Sequence, residues 1–116
     1  MSDIYSATFI FSKKEYDQSF FDLDSRIVAI ASQTPGYIGC DHVEDIQQNR
    51  LINIYYWQGR DGLEQLVHHP IHRQAKAQYQ QWLDNYQVII AKVEQVYQSQ
   101  DHQHPLTPFT TTLGPR

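Results

Sequence analysis

Residues 51–58 read Leu51-Ile52-Asn53-Ile54-Tyr55-Tyr56-Trp57-Gln58, and this stretch decides the fold. β-branched and aromatic side chains fill it, and a polar, turn-like run ending in Asn49-Arg50 precedes it. That is the composition of a strand. Successive strand residues point to opposite faces. Leu51, Asn53, Tyr55 and Trp57 therefore share one side, and Ile52, Ile54 and Tyr56 share the other. Both sides are largely apolar, so neither can lie in water along its whole length. This strand needs cover above and below.

Working outward, Ile4 to Phe11 reads as a further strand, with Tyr5, Ala7, Phe9 and Phe11 on one face. Ser12-Lys13-Lys14-Glu15 has the spacing of a capping box, and the helix is expected to begin nearer Tyr16. Its apolar stripe is Tyr16, Phe20, Leu23, Ile27, Ile30 and Ala31, at three- and four-residue steps. Thr34-Pro35-Gly36 ends it, because the residue before proline avoids the helical region and glycine turns freely. Tyr37 to Glu44 reads as a strand and Asp45 to Asn49 as a hairpin loop. Beyond the central strand, Arg60-Asp61-Gly62 turns into a helical region with Leu63, Leu66 and Val67 inside. Pro70 fits the first turn of a new helical segment, whose stripe is Ile71, Ala75, Tyr79, Trp82, Leu83 and Tyr86. Gln87 to Tyr97 is the last strand.

The order is βαββαβ, an α+β, ferredoxin-like arrangement with an antiparallel four-stranded sheet. Residues 1–97 make the domain. Residues 98–116 are polar, carry three prolines and read as an irregular tail that either wanders or embraces a partner subunit. Two helical regions can blanket one face of such a sheet. The other apolar face therefore predicts a homodimer.

Composition narrows the function. At 116 residues the chain is one domain, 41% hydrophobic, with enough length for a core. A net charge of −4 without a Lys/Arg cluster argues against nucleic acid as a partner. No apolar run is long enough to span a bilayer, and no secretory pattern opens the chain. The single cysteine, Cys40, cannot form an intrachain disulfide, which points to a reducing, cytoplasmic setting.

Five motifs then fall in a telling order. They are Thr34-Pro35-Gly36-Tyr37-Ile38-Gly39 after a helix, Tyr55-Tyr56-Trp57 closing the third strand, His69-Pro70-Ile71-His72, Trp82-x-x-x-Tyr86, and Val88 to Glu94. Together they resemble the antibiotic biosynthesis monooxygenase family of the dimeric α/β-barrel superfamily. The resemblance implies a homodimer whose two sheets pack into a barrel, with a pocket between sheet and helices. It also implies oxygenation of aromatic or quinol substrates without metal or flavin, or, in other members, haem binding and degradation. Oxygenases of this kind carry an Asn on the first strand and a Trp on the helix after the third. This chain has Ser6 and Thr8 on that strand and Leu66 at the helical Trp position, while Lys76 falls near the histidine of the haem degraders.

The candidate chemistry follows from residue types. His68, His69 and His72 form the densest titratable cluster, and His69 and His72 suit acid/base work at a pocket mouth because imidazole titrates near neutrality. Pro70 separates His68 from His72, and no Asp, Glu or Cys nearby completes a metal-ligand set. The bland reading is that His69 caps the helix opened by Pro70. Trp57, Tyr79, Trp82, Tyr86 and Leu66 are expected to line an apolar pocket for a flat aromatic molecule, although stripes at helical spacing also build plain core. Cys40 has only His42, on its own strand face, as an activating base. The expected function is a cofactor-independent monooxygenase-like protein binding a small aromatic or quinone-like molecule. The alternatives are a non-catalytic binding or stress-related module and a haem-binding protein.

Overall fold

A computed structural model describes residues 3–13, 17–78 and 83–110. The elements run β1 (Ile4–Lys13), α1 (Gln18–Ala31), β2 (Tyr37–Asp45), β3 (Arg50–Gln58), α2 (Asp61–Val67), α3 (Pro70–Gln78) and β4 (Leu83–Val93). The four strands form one antiparallel sheet in the order β2-β3-β1-β4, which is the ferredoxin-like arrangement. Among the described residues no helix is long and apolar enough to cross a membrane.

Register assigns every strand residue to a face. Tyr55 lies across from Ala7 and Cys40, and Asn53 across from Phe9 and His42, so these residues share the side that the helices cover. Phe20, Leu23 and Ala31 of α1, Leu63 and Leu66 of α2, and Ile71 of α3 are buried there with Ala7, Phe9, Leu51, Tyr55 and Trp57. From Phe20 to Ala31 the α1 stripe is as the periodicity predicts; Tyr16 lies outside the described residues. The start of α1 is not as predicted. Ser12 and Lys13 belong to β1, so the capping-box reading is corrected. The N-cap is Asp17, whose Oδ1 accepts from the Phe20 amide at 2.9 Å.

The last strand also departs from expectation. β4 begins at Leu83 and ends at Val93, so Leu83 and Tyr86 lie on a strand and not on a helical stripe. The cause is the length of β1. Its end pairs Ser12 with Asn85 and Phe11 with Tyr86, and Ser12 Oγ donates to Asn85 Oδ1 at 2.6 Å. At the other end Ile4 pairs with Val93. β1 begins there, so residues up to Tyr97 have no ladder to join.

The tail is more ordered than its composition predicts. Residues 100–110 fold back over the face opposite the helices, where a 3₁₀ turn, Thr107–Phe109, follows a buried Leu106. His104 Nε2 meets Asp41 Oδ2 at 2.6 Å, and the Tyr56 hydroxyl donates to the same oxygen at 2.8 Å. Pro105 sits against Gly39, where a Cβ would come within 2.7 Å of the proline ring. This strap explains why Tyr56 is only 8% exposed although it points away from the helices. The rest of that face stays open, with Val43 and Ile89 each 44% exposed. On the helix side, Tyr86, Val88 and Ile90 of the edge strand β4 are also exposed.

Candidate functional site

One polar chain crosses the apolar layer between helices and sheet. Asn53 is the sole polar or charged residue in the buried set of the described residues. It sits mid-strand on the helix side of β3, where its amide cannot reach bulk water and must find partners. Nδ2 donates to Asp24 Oδ1 on α1 at 3.1 Å, and Oδ1 lies 2.5 Å from Nδ1 of His42 on β2. Asp24 falls four residues after Phe20 and three before Ile27, within the apolar stripe of α1. A carboxylate on a helix, an amide on a central strand and an imidazole on an edge strand are thereby joined in series.

The electrostatics follow from position. Burial raises the Asp24 carboxyl above its ordinary 3.8, against the opposing pull of His42 and the Asn53 hydrogen bond. Charge is therefore costly at Asp24, and its amide partner offsets part of that cost. Tyr55, stacked on Trp57 with ring centroids 5.9 Å apart, has its phenol pushed up by burial first and by Asp24 second. Tyr37 is likewise raised by burial and by the hydrogen bond its hydroxyl donates to the Cys40 sulfur. These phenols stay protonated across the working pH range. His42, at the exposed end of the chain, is the member that solvent or a ligand can reach.

Aromatic side chains frame this polar chain. Phe9 meets Tyr55 edge-on with centroids 5.6 Å apart, and Tyr37 meets Trp57 at 6.0 Å. Trp57 is fully buried, and its Nε1 donates to Thr34 Oγ1 at 2.8 Å, while that hydroxyl donates to the Ala31 carbonyl at 2.6 Å. The Thr34-Pro35-Gly36 turn thus anchors the indole as well as ending α1. Gly36, at φ +76°, lets the chain approach β3 closely enough for the Gln58 amide to bond the Gly36 carbonyl at 2.7 Å.

The sequence-predicted residues fall in several places. Trp57 and Leu66 are fully buried in the helix-side core. His69 Nδ1 accepts from the Ile71 amide at 3.0 Å, so this imidazole caps the start of α3. His72 lies one turn on in α3. Tyr79 and Trp82 lie outside the described residues, and Tyr86 is an exposed residue of β4. Among the described residues no group of three or more His, Cys, Asp or Glu is placed to hold a metal. Sequence reasoning missed Asp24 and Asn53. The signal available was one polar residue in each of two otherwise apolar stripes, which is how a buried hydrogen-bonded pair is written in sequence.

No family model matches the sequence. A curated relative does: the uncharacterised protein YqjZ of Bacillus subtilis is 31% identical over 91 residues, covering 78% of this chain and 79% of its own. Among solved structures, SnoaB from Streptomyces nogalater, described as a cofactor-independent oxygenase, superposes with a TM-score of 0.63 at 14% identity, over 87% of this chain and 100% of its own. A Nitrosomonas europaea protein provisionally described as an antibiotic biosynthesis monooxygenase gives 0.63 at 12% identity, over 78% and 90%. Protein SO0527 from Shewanella oneidensis gives 0.68 at 8% identity, over 80% and 93%. At these identities the likeness is one of fold.

Proposed function

We propose, for a chain that belongs to the family of Bacillus subtilis YqjZ and has the antibiotic biosynthesis monooxygenase fold, that it binds a small aromatic or quinone-like molecule at the aromatic-framed helix side of its sheet. The reaction proposed is cofactor-independent oxygenation. Loss of a proton from an activated C–H turns the substrate into a carbanion, which supplies its own electrons to O2. A methylene becomes a carbonyl and the second oxygen atom leaves as water. The protein's part is to remove that proton and exclude bulk water. The observation that carries the reading is the Asp24–Asn53–His42 chain, which ends in an exposed imidazole on the sheet face that also carries Phe9, Tyr55 and Trp57. SnoaB's description as a cofactor-independent oxygenase supports it.

His42 is the base this geometry favours, and His69, which caps α3, and His72 within it are the alternatives that the sequence puts forward. The protein works in this reading as a homodimer, with the second copy covering Val43, Ile54 and Ile89 on the strap-bearing face. Incubation with an anthrone or a quinol under oxygen tests the proposal. Turnover above buffer is expected, abolished or strongly reduced in His42→Ala and retained in His72→Ala. A rate equal to buffer in the unaltered protein defeats it. A second reading, a non-catalytic binding module, is favoured by Leu66, which fills core where the resemblance places a Trp. Stabilisation by hydrophobic aromatic ligands in a thermal shift, without turnover, would select it.

A further inference from the structure

We propose that Asp24 is a positioning residue that holds His42 in its Nδ1-protonated tautomer, leaving Nε2 as an unshared lone pair at the surface of the site. The argument follows hydrogen-bond polarity along the chain. An ionised carboxylate can only accept, so the group that Asn53 turns toward Asp24 Oδ1 must be its NH2, and that is the arrangement found, at 3.1 Å. The amide is then oriented. Its carbonyl oxygen faces His42 Nδ1 at 2.5 Å, and a carbonyl cannot donate. Nδ1 must therefore carry the proton. In the neutral ring the other nitrogen is then the acceptor, and Nε2 has no hydrogen-bond partner among the described residues.

The same molecule supplies the contrast. His69 Nδ1 accepts from the Ile71 amide and His104 Nδ1 from the Leu106 amide, both at 3.0 Å. Those neutral rings must carry their proton on Nε2, and in His104 that proton points at Asp41. A histidine side chain free in water also prefers the Nε2–H form. His42 is thus set against both its solution preference and its two counterparts, and the far end of what sets it is a buried carboxylate on another element. The inference rests on reading His42 as the base. Its test measures a tautomer and not turnover, so either can fail alone.

The test is long-range 15N–1H correlation on the full chain with labelled histidine, recorded over a pH series and read where the spectra no longer change with rising pH. The expected wild-type result is one Nδ1–H pattern, from His42, with Nε2–H patterns from His69 and His104. In Asp24→Asn the replacement side chain can donate as well as accept, so Asn53 is no longer oriented. The Nε2–H form of His42 is expected to rise from minor to major while His69 and His104 keep their patterns as internal reports of the fold. Asp24→Glu, which keeps an obligate acceptor, is expected to retain Nδ1–H. Should Asp24→Asn not fold, Asp24→Ser makes the same change of polarity with a smaller side chain. An Nε2–H pattern for His42 in the wild type, or an unchanged His42 in the folded Asp24→Asn or Asp24→Ser protein, overturns the proposal.

Discussion

Gly62 lies inside the first turn of α2, where replacing glycine by alanine ordinarily stabilises a helix by about 1 kcal/mol. The packing says the opposite. A Cβ at this position would come within 2.2 Å of the Pro35 carbonyl oxygen and 2.5 Å of Cδ1 of Trp57. Neither neighbour is the far end of a flexible side chain. One is backbone in the turn that ends α1, and the other is a fully buried indole pinned through Nε1 to Thr34. Overpacking of this kind costs about 1–3 kcal/mol, and with two rigid obstacles the upper part of that range applies. Subtracting the helix gain leaves Gly62→Ala destabilised by about 2 kcal/mol. For a domain of this length that lowers Tm by about 8 °C. Urea denaturation followed by circular dichroism measures it directly. Gly59 is the control: its φ of +83° is strained for alanine, but no atom lies within 4 Å, so Gly59→Ala should cost only about 1 kcal/mol. A Gly62→Ala protein as stable as wild type, or more stable than Gly59→Ala, would refute the packing argument and with it the fixed position of Trp57.

Three further predictions follow from other parts of the molecule. Asp41→Ala removes the oxygen that holds both His104 and Tyr56. It should cost about 2 kcal/mol and open residues 94–99 to limited proteolysis, and an unchanged cleavage pattern counts against the strap. Val43→Lys combined with Ile89→Lys places charge on the open apolar face and should shift sedimentation from dimer to monomer with an unchanged circular dichroism spectrum; a protein that sediments as a monomer before mutation removes the dimer. Burial raises the Asp24 carboxyl above 3.8, so ionising it costs the folded state. The stability gap between Asp24→Asn and wild type should therefore be smallest below pH 3.8 and widen in favour of Asn as pH rises through the folded-state value. A gap that stays level across denaturation curves at several pH values would show that Asp24 is not desolvated.

Most of the architecture could be read from the chain because local and tertiary preferences agreed. The period of two in Leu51 to Trp57 and the stripe from Phe20 to Ala31 both turn inward as written. The boundary at β4 failed where two periods competed. Tyr79, Trp82, Leu83 and Tyr86 recur at helical steps, yet Tyr86, Val88 and Ile90 also alternate. The ladder offered by the long β1 settles the contest in favour of strand from Leu83 onward, and no window around residue 83 contains that information. The site was harder still. Asp24 and Asn53 are 29 positions apart, and each alone is an ordinary polar residue. Only the packing of α1 on β3 makes them a pair. The histidine cluster at 68–72 attracted the reading because it is dense in sequence, whereas His42 is isolated there and connected in space.

The strap has a consequence for how copies of this chain can go wrong. β2 is an edge of the sheet, and open edges recruit other strands. Here the edge is blunted: its register slips between Tyr37 and Gly39, Pro105 is wedged against Gly39, and Asp41, Glu44 and Asp45 line it with charge. On the opposite edge, β4, Lys92 carries charge, 3.2 Å from Asp3, but only near the strand's end. Val88, Ile89 and Ile90 run consecutively and exposed on that edge, with the β propensity that fibrils use. Misassembly of this protein, under heat or acid, should therefore begin along β4, and a single lysine in that run is the place to improve its solubility.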